Sequence, residues 1–144
     1  MSNQNRKIEI EWPKYGKKVT ALMLDNENPE FCGEFWKHLP FECVQEHGMV
    51  TGDIIYCWTP LINTELVRVQ NKHSEAPVGR VSYSQGTGNK VIIKYGLCSE
   101  DLNAPILAQV IEDDLEDLKW VSKEIWNNMM GKKEIIKVIF RKKE

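Results

Sequence analysis

The chain has 144 residues, of which 42% are apolar. That is enough for one domain with its own core and too apolar for a disordered segment. Its formal net charge of −2 supplies no field that would gather nucleic acid, and no apolar run approaches the roughly 20 residues that span a bilayer. The opening stretch MSNQNRKIEIEW lacks the apolar centre of a secretory leader. Cys32, Cys43, Cys57 and Cys98 have none of the close CxxC spacing of a metal or redox motif. With no leader, this predicts reduced thiols and a cytoplasmic location.

In chain order, Ile8, Ile10 and Trp12 alternate with charged residues, which predicts a strand. Pro13–Gly16 reads as a turn and Lys17–Leu24 as a second strand, so the two form a hairpin. Asn28-Pro29 opens a helix, with Asn as N-cap and Pro preorganised for the first turn. Phe31, Phe35 and Leu39 share one face of it, and Pro40 ends it. Phe41–Glu46 alternates as a third strand, and Ile54–Trp58 is a fourth after the turn Thr51-Gly52-Asp53. Glu65–Gln70 is expected as a fifth. GRVSYS and KVIIKYG flank QGTGN, a hairpin signal. Tyr95–Pro105 reads as a polar loop, followed by a buried strand in Ala104–Asp113. Asp113–Met130 carries a helical stripe of Leu115, Leu118, Ser122, Ile125 and Met129, with Gly131 as the C-cap residue. Glu134–Lys142 is the last strand. Hairpin-linked strands with two helices predict a mainly β fold, a closed antiparallel barrel plugged by the helices.

The order of these segments resembles the cyclophilin-like proteins of bacteria and archaea. The phrase P-x-A-x-x-F-W-x-x-L-P of that family stands here as Pro29, Phe35, Trp36, Leu39 and Pro40. Its later hairpin stands as Gly79, Val81, Tyr83, Ile92, Lys94, Tyr95 and Gly96, and its tail is echoed by Ser99, Asn103, Val110, Ile111 and Leu115. The resemblance spans residues 7–142 and implies an eight-stranded cyclophilin barrel as a single domain over 1–144, with residues 1–6 as a flexible start. A cyclophilin prolyl isomerase holds its catalytic arginine in an F-H-R phrase. This chain has Arg6, Arg68, Arg80 and Arg141, none in such a phrase.

His47 is the candidate for acid–base chemistry, because imidazole titrates near neutrality and Gly48 beside it permits close approach. Its plainer role is a rim histidine bonded to a carbonyl or carboxylate. His38 suits a helix C-terminus, and His73 falls in a polar loop and reads as solvated. In the fourth strand Ile55 and Cys57 face one way and Ile54, Tyr56 and Trp58 the other. Tyr56, Trp58 and Tyr83 offer planar surfaces for stacking, or fill the core. Cys57 or Cys98 becomes a nucleophile only if the fold brings it to His47. Gly86–Asn89 lies between strands, which favours a hairpin over a phosphate cradle. Ser99, Glu100 and Asn103 are the loop groups best placed to bind.

The leading expectation is a domain that binds a small molecule or a short peptide through His47, Tyr56, Trp58, Glu65, Tyr83, Ser99, Glu100 and Asn103. The alternative is a hydrolase or lyase acting on a small amide-like metabolite, with His47 as acid/base. A peptidyl-prolyl isomerase comes third and a purely structural module fourth. No metal or cofactor is expected, nor a nucleic-acid or membrane partner, and self-association stays open.

Overall fold

A computed structural model of the chain describes residues 5–85 and 88–143. Strands β1 (Lys7–Trp12) and β2 (Lys17–Met23) form the first hairpin, turned by a 3-10 segment and by Gly16 at φ 64°. Helix α1 (Pro29–Lys37) leads to β3 (Phe41–His47) and β4 (Gly52–Trp58). A long connector reaches the short β5 (Gln70–Lys72), and β6 (Arg80–Ser84), β7 (Lys90–Cys98) and β8 (Asn103–Val110) follow. Helix α2 (Leu115–Met130) and β9 (Lys137–Lys143) complete the chain.

Eight strands close into a barrel in the order β2-β1-β9-β3-β4-β7-β6-β8, all antiparallel, with β8 returning to β2 through Ala21, Leu22 and Met23. The ninth strand, β5, pairs among the described residues with the first half of β8 alone. Alternation decides what faces inward: Ile8, Ile10 and Trp12 of β1, Ile55 and Cys57 of β4, and Val91, Ile93 and Tyr95 of β7 are all buried in the core. The indole N–H of Trp12 donates to Gln45 Oε1 at 2.9 Å, and the Gln45 amide donates onward to the Tyr56 carbonyl at 2.8 Å. A buried polar pair is thus satisfied inside the apolar barrel.

The helices close opposite ends. Phe31 and Phe35 of α1 pack edge-on against Tyr83 and against Phe41 and Phe140, respectively. At the other end α2 lies across β2, β3 and β7 and buries Leu118, Val121, Ser122 and Ile125. Of the expected helical stripes, Phe31, Phe35, Leu118, Ser122 and Ile125 are buried, Leu115 and Met129 are half-buried, and Leu39 lies beyond the end of α1.

Three local expectations are corrected. Glu65–Val69 is not a strand; only Gln70–Lys72 pairs. Asn28 precedes α1 but makes no side-chain cap. Its amide donates instead to the carbonyls of Val69 and Ile106 at 2.8 and 2.9 Å, and its oxygen accepts from the N–H groups of Arg68 and Val69 at 2.7 and 2.9 Å. Gly131 caps α2 as expected, its N–H reaching the Asn128 carbonyl, and Lys133 follows in the left-handed region at φ 57°. Tyr95–Pro105 is mostly strand, with only residues 99–102 as loop. The QGTGN turn falls partly on Gly86 and Thr87, outside the described residues, though its flanking strands pair as expected. Most of the proposed flexible start is likewise outside them. Arg6, within it, forms a two-pronged contact with Asp25.

Two stability tests follow from this packing. Replacing Asn28 with Ala orphans two carbonyls and two N–H groups and should cost about 3 kcal/mol in urea unfolding. A loss under about 1 kcal/mol would mean that water takes the amide's place. Ser122 Oγ is the one buried side-chain polar atom without a partner among the described residues. Ser122→Ala should therefore raise stability by about 1 kcal/mol in the same assay.

Candidate functional site

The outer face of β4 and β7 forms the floor of a cleft of about 460 Å³. The register sets Tyr56 beside Ile92 and Trp58 beside Lys90, so these outward side chains form two adjacent rows. Ile54, Ile92, Leu102 and Ala104 make the lining apolar. The Lys90 ammonium sits 4.7 Å from the Tyr56 ring centroid and 5.1 Å from that of Trp58, a cation held against two π faces. Glu100, Asn103, Gln70 and His73 bring polar groups to the same space. A loop of residues 48–51 forms another wall.

The far wall is held by an unusual lysine. Lys94 is only 6% exposed, yet its ammonium donates to the carbonyls of His73 at 2.8 Å, Ser74 at 3.3 Å and Ala76 at 2.7 Å. All three donors are satisfied, and the turn after β5 is fixed over the sheet. His73 is therefore buried, not solvated, in correction of the sequence expectation. Burial lowers its pKa below the ordinary 6.5; Glu100 opposes that shift, and Lys94 and Lys90 add to it.

His47 lies elsewhere. It ends β3 under α2 and is 3% exposed. Its Nδ1 is 2.7 Å from the Gly48 carbonyl, so Nδ1 carries the proton, and Nε2 accepts from the Tyr95 hydroxyl at 2.6 Å. Trp126 stands edge-on to the ring at 4.8 Å. His47 separates a cavity of about 270 Å³, lined by Asp53, Tyr95, Lys123 and Trp126, from one of about 300 Å³ beside Val44, Met129 and Ile135. Burial lowers the pKa of His47, against the Gly48 carbonyl and Asp53. Burial, with Asp53 nearby, pushes Tyr95 up to about 12. The pair is a neutral acceptor facing a strongly held hydroxyl proton.

The residues named from sequence thus divide. Tyr56, Glu100 and Asn103 share the outer cleft. Trp58 flanks it through Lys90 and is 47% exposed; a side chain at Gly88, φ 99°, would run into its ring. Ser99 bonds the Thr51 carbonyl at the base of the 48–51 wall. Tyr83 is fully buried, its hydroxyl donating to the Leu61 carbonyl at 3.0 Å. Glu65 is exposed on the connector. Neither of these two, nor Cys57, reaches the His47 cavities. Reading the sequence missed Lys90, Lys94 and His73, and it missed Tyr95 as the partner of His47. Lys90 faces outward at the start of a strand, two places before Ile92, and the period-2 pattern alone would have placed it on the same face as Ile92. All four arginines are bonded outside the cleft: Arg6 to Asp25, Arg68 to Glu30, Arg80 to Gln109 and Asn71, and Arg141 to Glu9 and Glu11.

No family model matches the chain, and no curated protein sequence matches it. Solved structures do. The structure of McbB in complex with tryptophan is similar over 94% of this chain, at 29% identity and a TM-score of 0.85. The chain spans 44% of McbB, less than half its length. The hypothetical protein AF2241 from Archaeoglobus fulgidus, solved in solution, is similar over 99% of this chain and 100% of its own, at 13% identity and a TM-score of 0.61. That second likeness is one of fold alone. Among the described residues no helix is long and apolar enough to cross a membrane.

The two buried histidines predict a pH dependence. Both bind a proton more weakly in the fold than free imidazole does at 6.5. The unfolded chain therefore takes up more protons as pH falls below that value. The stability their neutral rings contribute is complete above 6.5 and is lost as pH falls toward the folded values. Denaturant unfolding should show lower stability at about pH 5 than at about pH 7, and His47→Gln combined with His73→Gln should flatten that slope. An unchanged slope would assign it to other groups.

Proposed function

We propose that this cyclophilin-like barrel binds a small planar molecule carrying a carboxylate and an amine, of the tryptophan class, in the outer cleft. The observation that carries the reading is Lys90. An ammonium held over Tyr56 at the edge of an apolar floor offers a ring-stacking surface and an anion contact within one ligand's length. Glu100 on the same cleft supplies the partner for an amine. The similarity to McbB, solved with tryptophan, over 94% of this chain supports the same class. Recognition of this kind uses an apolar body and a few placed polar groups.

Calorimetry with tryptophan, tryptamine and indole-3-propionate separates the contributions. Lys90→Met should weaken tryptophan and indole-3-propionate about tenfold, roughly 1.4 kcal/mol, and leave tryptamine unchanged. Tyr56→Ala should weaken all three. A short tryptophan-containing peptide amide, lacking the free carboxylate, should bind like tryptamine. Absence of tryptophan binding at about 1 mM, or equal losses for all three ligands in Lys90→Met, would overturn the reading.

The second reading is a small-molecule enzyme with His47 as acid/base. The 2.6 Å contact of its Nε2 with the Tyr95 hydroxyl, at the wall of a polar cavity, favours it. In that case His47→Gln, with the fold intact, abolishes turnover of a small amide and spares tryptophan binding.

A further inference from the structure

The four cysteines are free thiols, but their surroundings are not alike. Cys32 is buried by α1; its thiol donates to the carbonyls of Leu24 and Leu107, and burial pushes its pKa up to about 12. Cys98 is half-buried, and its sulfur accepts the Glu100 N–H at 3.4 Å. Cys43 and Cys57 form a pair. The β3–β4 register sets Gln45 opposite Cys57, so Cys43, two residues along β3, shares a face with Cys57 on the diagonal. The Cys43 thiol donates to the Cys57 sulfur at 3.3 Å.

Access to the two differs. Cys57 is 1% exposed, whereas Cys43 is half-buried. An oxidant arriving from solvent meets Cys43 first, with a second thiol already behind it. A thiol in that position captures an oxidised neighbour before further oxidation can proceed.

We propose that Cys43 and Cys57 are an oxidation site, at which a hydroperoxide converts the pair into a disulfide joining β3 to β4. In the first step the Cys43 thiolate attacks a peroxide oxygen. An S–O bond forms and the O–O bond breaks. Cys43 loses two electrons to become a sulfenic acid, and the departing oxygen leaves as water or an alcohol after taking up a proton. In the second step the Cys57 sulfur attacks the Cys43 sulfur. The S–S bond forms, the S–O bond breaks, and the Cys57 proton leaves with the hydroxide as water. The balance is two thiols and one hydroperoxide giving one disulfide, one water, and one alcohol or second water.

Burial raises the pKa of Cys57 and thins its thiolate. Contact with Cys43 offsets this, because the attack is intramolecular. Bridging brings the sulfurs from 3.3 Å to the roughly 2.05 Å of a disulfide, and from diagonal positions it draws the two adjacent strands together. The bridged strand is the one whose other face carries Tyr56 and Trp58. The site stands independently of any ligand in the cleft.

The test treats the full chain with stoichiometric hydrogen peroxide, alkylates the remaining thiols and maps peptides by mass spectrometry. The expected product is a linked Cys43–Cys57 peptide that has lost two hydrogens and regains both thiols with dithiothreitol, while Cys32 stays alkylatable only after unfolding. In Cys57→Ser the sulfenic acid at Cys43 should persist, be trapped by dimedone, and pass on to the sulfinic acid. Cys57→Ala gives the same reading if the serine variant fails to fold. In Cys43→Ser, Cys57 should remain reduced. Over-oxidised Cys43 in the unaltered chain with Cys57 still alkylatable would overturn the proposal. So would a Cys43 and Cys57 that both stay reduced after Cys98 is fully oxidised.

Discussion

The outer cleft depends on one buried amide. Asn28 has two donors and two acceptor lone pairs, and all four are used on the backbone of the connector and of β8. The connector between β4 and β5 is not paired into the sheet, so its peptide groups need partners from elsewhere. Asn63 adds a second tie, donating to the Phe31 carbonyl at 2.9 Å and receiving Gln85 at its own carbonyl. Lys94 then catches the turn that follows β5. Gln70 enters the cleft edge from β5, paired there with β8, and His73 from the turn that Lys94 holds.

This arrangement explains how much could be read from the sequence. Barrel strands obey a period of two, and Ile55 with Cys57 against Ile54 with Tyr56 announces its own orientation. The helices obey 3.6, and Phe31, Phe35, Leu118 and Ile125 announce theirs. The connector obeys neither. Val67 and Val69 alternate with polar residues and so imitate a strand, but Asn28 takes the N–H groups of Arg68 and Val69 that a ladder would have used. An asparagine before Pro29 looks like a cap for the helix it precedes; its real partners lie about 40 and 78 positions away.

The candidate site was legible in part for the same reason. Tyr56, Glu100 and Asn103 sit on strand faces or loop ends that local pattern identifies. His47 and Tyr95 are 48 residues apart, and nothing local joins them. His73 looks polar and solvated in its own stretch. Only the fold reveals that a lysine from β7 pulls its carbonyl inward. Buried polar groups are chosen by distant partners, so their roles appear only once the strands are closed.

Closure also governs how this molecule meets copies of itself. A barrel hides the N–H and C=O groups of its strands from other chains. Among the described residues β5 alone is a strand with a single neighbour, and it is three polar residues long, ending in Lys72. So short and hydrophilic an edge is a poor template for adding another strand. Along this edge, association between copies by sheet extension, the common route to aggregates of β proteins, has little surface on which to begin.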